Sequence, residues 1–209
     1  KMFEVQFFED HPLPSDISAR ICAYLEKAVP EYDMVLVSDF GHGFIDGAII
    51  EVLCRKARFL AVNTQTNSAN SGYNMITKYP RVDYICIDEP EMRYAARDKY
   101  GEIKSVIEKV AKDLRCGKVA VTRGHLGAMV HDSGRGFFEV PIFSDKVVDR
   151  VGAGDAFLSV TAPMVAAGIP MDVVGFMGNL VGAFKVSIVC NRSSIEPVPL
   201  YKSVITMLK

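Results

Sequence analysis

Four short runs in this chain are apolar throughout, and each ends on a polar residue. Met34-Val35-Leu36-Val37 leads into Ser38-Asp39, and Phe59-Leu60-Ala61-Val62 into Asn63. Tyr84-Ile85-Cys86-Ile87 leads into Asp88, and Val119-Ala120-Val121 into Thr122-Arg123-Gly124. Continuous apolar runs, unlike alternating ones, fit strands covered on both faces. Between them the period changes. Ile17, Ile21, Leu25 and Ala28 recur at helical spacing, with Ser15 as the expected N-cap. Ile103, Val106, Ile107, Val110 and Leu114 form a cleaner stripe that stops at Cys116-Gly117. Strand-like and helical runs in alternation predict βαβ units around a parallel sheet.

After Thr122 the pattern predicts a β-hairpin, with strands over 127–131 and 137–140 joined by the turn Asp132-Ser133-Gly134-Arg135-Gly136. A helix is expected over 155–168, with Pro163 as a possible kink. The last third reads as helical apart from a loop over 191–199, and Phe3-Glu4-Val5-Gln6-Phe7 alternates like a strand. The most apolar long window, 173–190, is interrupted by Asn179 and Lys185, which predicts a buried helix and not a membrane span.

Bulk properties narrow the picture. A chain of 209 residues, 49% hydrophobic and 23% charged, suits one domain with a full core. Its net charge of −1, without a long basic run, offers no attraction to nucleic acid or to an anionic membrane. Cys22, Cys54, Cys86, Cys116 and Cys190 are odd in number and contain no CxxC pair, so neither a zinc knuckle nor a disulfide framework is expected. The four histidines show no HxxxH spacing, and the opening residues lack a signal-peptide pattern. These features predict a cytoplasmic location. The sequence opens on Lys1, not Met, and reads as a piece of a longer protein.

The candidate chemistry centres on Asp149-Arg150-Val151-Gly152-Ala153-Gly154-Asp155. Glycines permit positive φ and close approach of a ligand to the main chain. Free N–H groups at the start of the following helix favour a phosphate or a developing oxyanion. Asp155 can face the same ligand, which points to phosphoryl transfer to a hydroxyl. A tight turn with an acidic first-turn residue is the plain structural alternative. Asp39, Asn63, Asp88 and Thr122 at strand ends add weight to the functional reading, because ligands of open α/β sheets bind at that edge. A dinucleotide-binding enzyme is disfavoured: the glycine turn comes late and lacks G-x-G-x-x-G.

Val148-Asp149-Arg150-Val151-Gly152-Ala153-Gly154-Asp155-Ala156-Phe157 resembles the GAGD signature of the PfkB, or ribokinase-like, carbohydrate kinases. Ile87-Asp88-Glu89-Pro90-Glu91 resembles that family's N-x-x-E motif, and Val121-Thr122-Arg123-Gly124-His125-Leu126-Gly127 its T-x-G-x-x-G segment. Gly178-Asn179-Leu180-Val181-Gly182-Ala183 resembles the helix bordering the adenine pocket, and the likeness spans residues 32–190. Ser38-Asp39-Phe40-Gly41-His42-Gly43 is similar to a turn of heptose phosphate kinases, whereas Asp149-Arg150-Val151 is closer to sugar-acid kinases, so the sugar stays open.

The resemblance implies a three-layer α/β/α, Rossmann-like domain with a mostly parallel sheet. It also implies ATP-dependent phosphorylation of a sugar or sugar-phosphate hydroxyl. Asp155 would be the base, and the amides of Gly152, Ala153 and Gly154 the anion hole. Thr122, Gly124 and Gly127 would line the phosphates and ribose, and Asn179 the base side. Glu91 and Asp88 would organise Mg²⁺ through water, and a monovalent cation is a further cofactor the likeness leaves open. Asp88 departs from the family's Asn and adds negative charge that a cation must offset. Nothing before Tyr32 resembles the family's first strand, di-glycine segment and lid, so residues 1–209 are expected to be one domain lacking its N-terminal lid region. A homodimer or a fused nucleotidyltransferase domain are the partners it suggests. The competing expectation is a non-catalytic nucleotide- or sugar-binding module that regulates or scaffolds a partner.

Overall fold

The computed structural model describes Val5 and residues 11–68, 70–144, 146–190 and 192–209. Apart from Val5, the alternation expected over 3–7 falls outside these residues. Six strands form one sheet in sequence order: β1 (Val35–Asp39), β2 (Leu60–Thr64), β3 (Tyr84–Asp88), β4 (Lys118–Thr122), β5 (Ala128–Asp132) and β6 (Gly136–Val140). Strands β1 to β4 are parallel, and the expected hairpin adds β5 and β6 antiparallel. The helices are α1 (Ser15–Ala28), α2 (Gly47–Lys56), α3 (Glu89–Ala96), α4 (Ile103–Asp113), α5 (Ala153–Ala166), α6 (Met171–Lys185) and α7 (Pro197–Met207).

Side chains alternate across the sheet, and both faces of β2, β3 and β4 are covered, which is why those strands carry no polar period. Strand β1, at the end of the strand order, leaves Leu36 37% exposed, so the expectation of two covered faces does not hold there. Leu60, Val62, Ile85, Ile87, Val119 and Val121 pack on the side of α1, α2, α3 and α4. Their neighbours Ala61, Tyr84, Cys86 and Ala120 pack on the opposite side against Phe157, Leu158 and Ala162 of α5 and Val174 of α6. The small residues on that second face let the helices come close. Gly178 of α6 is required by the same closeness, since a Cβ there would lie 2.4 Å from the Phe157 ring. Tyr84 is completely buried and places its hydroxyl on Thr161 Oγ1 of α5 at 2.9 Å, which fixes that helix over β3.

Several boundaries differ from expectation. Pro14, not Ser15, occupies the N-cap of α1, and no side chain caps that end. Its extended backbone leaves Ser15 as the first helical residue, which suits the fixed φ of proline. The expected loop over 191–199 ends early: α7 starts at Pro197, because a proline in the first turn has no N–H to lose. Helix α5 begins at Ala153 and continues through Pro163. Cys54, Cys86 and Cys116 are buried, and all five cysteines are free thiols. Among the described residues, no helix is long and apolar enough to cross a membrane.

Register brings the strand ends level. Asp39 pairs with Thr64, Ser38 with Asn63, and Asp88 with Thr122. The carboxyl edge of the sheet is therefore a single platform, from which α3 leaves β3 directly and the turn after β4 rises.

Candidate active site

Thr122 closes β4, and the chain then turns tightly. The N–H of Arg123 donates to the Gly127 carbonyl at 2.8 Å, and that of Gly127 to the Gly124 carbonyl at 3.1 Å. Gly127 has φ +84°, and a Cβ would meet the Val140 carbonyl oxygen at 2.0 Å. The glycine is thus demanded twice, by backbone conformation and by the arrival of the chain leaving β6. Asn179 of α6 fastens that chain by donating its amide hydrogens to the carbonyls of Val140 (2.8 Å) and Pro141 (2.9 Å). Thr122, Gly124, Gly127, Ala153, Gly154 and Asn179 line one cavity of about 440 Å³, with Phe143, Phe157 and Ala183 among its apolar walls. Six of the ten expected site residues therefore share one space. His125, which was not expected there, and Arg150 line it too.

Gly152 and Asp155 stand at the start of α5. Gly152 is the N-cap, with φ +77° and ψ 10°, a left-handed conformation that favours glycine. The first bond inside the helix runs from the Ala156 N–H to the Gly152 carbonyl at 3.0 Å. Gly154 and Asp155 consequently have N–H groups without an acceptor in the helix. The N–H of Ala153 does not share that freedom. It donates to the Arg150 carbonyl at 3.2 Å, closing the turn that makes the helix start. Of the expected anion-hole donors Gly152, Ala153 and Gly154 the middle one is therefore already engaged, and the Asp155 N–H, which was not expected, is without a helix acceptor. Asp155 is exposed in the first turn, where its charge suits the helix dipole.

The segment ahead of this turn is tied to the end of α6. The N–H groups of Val148 and Asp149 both donate to the Val186 carbonyl. The Asp149 carboxylate accepts from Val151 N–H at 3.0 Å and Cys190 N–H at 2.8 Å, and these donors hold its pKa down to about 2. The sequence carried this only as part of a motif; the partner at Cys190 lies 41 residues away.

Asp88 and Glu91 build the start of α3. Asp88 Oδ1 accepts from Glu91 N–H and Glu91 Oε2 accepts from Asp88 N–H, a reciprocal capping box. Glu91 Oε1 also accepts from Thr66 N–H at 2.8 Å, which pins the loop after β2. Asp88 lines a wider cleft of about 1150 Å³ that shares Thr122, Gly124 and His125 with the first cavity; Glu91 lines neither. Arg123 reaches Glu89 Oε2 at 2.8 Å and Arg93 reaches Glu89 Oε1 at 2.7 Å, so one carboxylate binds α3 to the Thr122 loop. Among the described residues, no group of three or more His, Cys, Asp or Glu could by itself hold a metal ion.

Burial, and next the Asp88 charge, push the Glu91 carboxyl up to about 7; burial also raises Asp88. A carboxyl raised in the folded state binds its proton more tightly there than in the unfolded chain. Its stabilising contribution is complete below about pH 4.5 and is lost as pH rises through about 7. Urea midpoints should therefore show this group's share of stability falling between pH 5 and pH 8, and Glu91→Gln should flatten that part of the profile. An identical pH profile in both proteins would contradict the assignment.

At β1 the motif residue Asp39 is a structural anchor. It is 2% exposed, accepts from the Gly41 N–H at 2.9 Å and the Tyr79 hydroxyl at 2.6 Å, and pairs with Lys78 Nζ at 2.6 Å. Asn74 adds a hydrogen bond to the Asp39 carbonyl and accepts from Lys78. Gly41 needs its φ of +71° and would clash with Asn70 and Asn74 if it carried a Cβ. Asn70, Asn74, Lys78 and Tyr79 were not expected from the sequence.

A mostly parallel sheet between two helical layers, with a glycine-capped helix start beside a cavity lined by Thr122, Gly124 and Gly154, defines a three-layer α/β/α domain. The profile of the pfkB family of carbohydrate kinases matches residues 10–196, and the chain belongs to that family. It is similar to the bifunctional protein HldE of Aeromonas hydrophila (25% identity over 195 residues, 90% of this chain and 39% of that protein). It is also similar to 2-dehydro-3-deoxygalactonokinase of Haloferax volcanii (29% over 119 residues, 57% of this chain and 37% of that protein). Phosphofructokinase-2 from Escherichia coli, solved in complex with potassium, shares the fold at a TM-score of 0.78 with 12% identity, covering 95% of this chain and 64% of that one. Ribokinase from Thermotoga maritima does so at 0.65 with 19% identity, covering 87% and 59%. The chain thus spans under two fifths of these curated relatives and about three fifths of these solved chains.

Proposed function

We propose that this chain is the nucleotide-binding part of a longer carbohydrate kinase, folded as one domain, which transfers the γ-phosphoryl group of ATP to a hydroxyl of a sugar or sugar phosphate. The observation that carries this reading is the start of α5. Left-handed Gly152 opens the helix, two N–H groups have no acceptor within it, and the Asp155 carboxylate stands beside them. Asp155 takes the proton of the acceptor hydroxyl as its oxygen bonds to phosphorus and the bond to the β-phosphate oxygen breaks, releasing ADP. A positioned carboxylate suits the role of base. The amides of Gly154 and Asp155 stabilise charge on the transferred group, and Arg150, whose lining of the same cavity supports the role, contacts phosphate. Thr122, Gly124 and Gly127 border the nucleotide, and Asn179 lines its base side while holding the chain that leaves β6 through the Val140 and Pro141 carbonyls.

Mg²⁺ would neutralise phosphate charge. Asp88, which lines the wider cleft, would hold it through water, since Mg²⁺ commonly keeps several waters. Glu91, whose two oxygens accept from main-chain N–H groups, would act by fixing Asp88 through the capping box. The name of the Haloferax volcanii relative supports a sugar-type acceptor, and the Aeromonas hydrophila relative is bifunctional, which supports a fused second domain such as a nucleotidyltransferase. A homodimer and a cytoplasmic location belong to the same proposal.

A second reading, a non-catalytic binding module, draws on the engaged Ala153 amide and on Asp88, which adds negative charge beside the phosphates. Calorimetric titration with ADP and with ATP–Mg²⁺ separates the two. One saturable site per chain, with turnover once an acceptor is supplied, is the expected result. Binding without turnover of any sugar would favour the module, and absence of binding would end both nucleotide readings.

A further inference from the structure

Lys185, the charged residue that interrupts the apolar window of α6, is only 7% exposed. Burying an ammonium is costly unless its hydrogens find strong acceptors. Here it donates to two main-chain carbonyls, Val151 at 2.8 Å and Cys190 at 2.5 Å. The same two residues donate their N–H groups to the Asp149 carboxylate. Val151 and Cys190 are thus each gripped from both sides, by a cation at the carbonyl and an anion at the amide. Cys190 adopts a left-handed φ of +49° within this clamp, an uncommon conformation for a residue with a side chain.

Converging carbonyl oxygens are ligands of a hard cation. An ammonium carries the same unit charge as a monovalent metal ion and satisfies carbonyls by hydrogen bonds. It also lies at the carboxyl end of α6, where a positive charge is favoured. Val151 immediately precedes Gly152, so whatever fixes its carbonyl fixes the entry to the anion-binding turn.

We propose that Lys185 is a positioning residue whose tethered ammonium fills a monovalent-cation cradle formed by the Val151 and Cys190 carbonyls. The turn before α5 is then set, and its anion affinity maintained, without potassium or sodium from solution. The effect on anion affinity rests on the kinase reading above; occupation of the cradle does not.

The test uses the full-length gene product at fixed ionic strength in potassium, sodium or tetramethylammonium chloride, reading the thermal midpoint and the ADP dissociation constant. The wild-type protein should give the same midpoint and, within about twofold, the same dissociation constant in all three salts. Lys185→Met should bind ADP more weakly in tetramethylammonium, by about tenfold as expected for one lost charge-assisted contact, and should recover in potassium. Potassium-dependent gains in the wild-type protein would overturn the proposal, as would a variant that matches wild type in every salt. So would a loss that potassium does not restore, since that marks a merely structural lysine. If Lys185→Met does not fold, the wild-type salt series and Lys185→Arg, expected to stay salt-independent, still decide. If ADP does not bind at all, the kinase reading fails while the midpoint series continues to test the cradle.

Discussion

Replacing Asp155 by Asn in the full-length gene product should lower turnover by about 10²–10⁴-fold, the usual contribution of a positioned base, while ADP affinity stays close to wild type. The physical basis is the separation of two tasks at one helix start. The N–H groups that would face phosphate belong to the main chain and survive the substitution. The proton acceptor belongs to the side chain and does not. Asp155 is exposed and in the first turn, so folding should lose only the modest dipole benefit of about 0.3–1 kcal/mol. Steady-state phosphate transfer paired with ADP titration checks both halves. Turnover that is unchanged would remove Asp155 as the base.

The second large effect should come from Gly127→Ala. At φ +84° and ψ −131° the backbone lies where a side chain is strained, and the added Cβ would sit 2.0 Å from the Val140 oxygen and 3.1 Å from Asn179 Nδ2. Neither neighbour can retreat freely, because the oxygen is main chain and the amide is holding Val140 and Pro141. Strain and overpacking together should cost about 2–4 kcal/mol, read as a lowered urea midpoint, with weakened ADP binding. Gly124→Ala is the internal control. Its φ is +57° but a Cβ there meets nothing within 4 Å, so the cost should be about 1 kcal/mol. Equal losses at the two positions would mean that the close approach to Val140 does not set the shape of the cavity.

These effects trace back to what the sequence made legible. The four parallel strands were visible as apolar runs, most clearly where residues such as Leu60, Ala61 and Val62 point alternately to two covered faces and all must be apolar. Helix α2 was not, since Ile49, Ile50, Val52, Leu53 and Cys54 are nearly continuous and buried together, which erases the helical period. Helix α3 is eight residues long and carries Pro90, so its only local signal was the Asp88–Glu91 spacing, which serves as a capping box. In the site, Gly152 and the acid three residues later were readable because backbone freedom and charge are local properties. The tether from Asn179 to Val140, the Lys185–Asp149 clamp and the Asp39–Tyr79 hydrogen bond each join residues 34 to 41 positions apart. No periodicity encodes such pairings; only the fold creates them. Lys185 left a trace as a charge inside an apolar window, and a buried lysine of that kind marks a structural or electrostatic role worth locating.

If nucleotide phosphate sits at the start of α5, titrating ADP into the ¹⁵N-labelled protein should move the amide resonances of Gly154 and Asp155 most. Those of 122–127 and the Asn179 side chain should follow on the same saturation curve. Shifts that saturate elsewhere, for instance around Asp39 and Lys78, with Gly154 and Asp155 unmoved, would contradict that placement of the site.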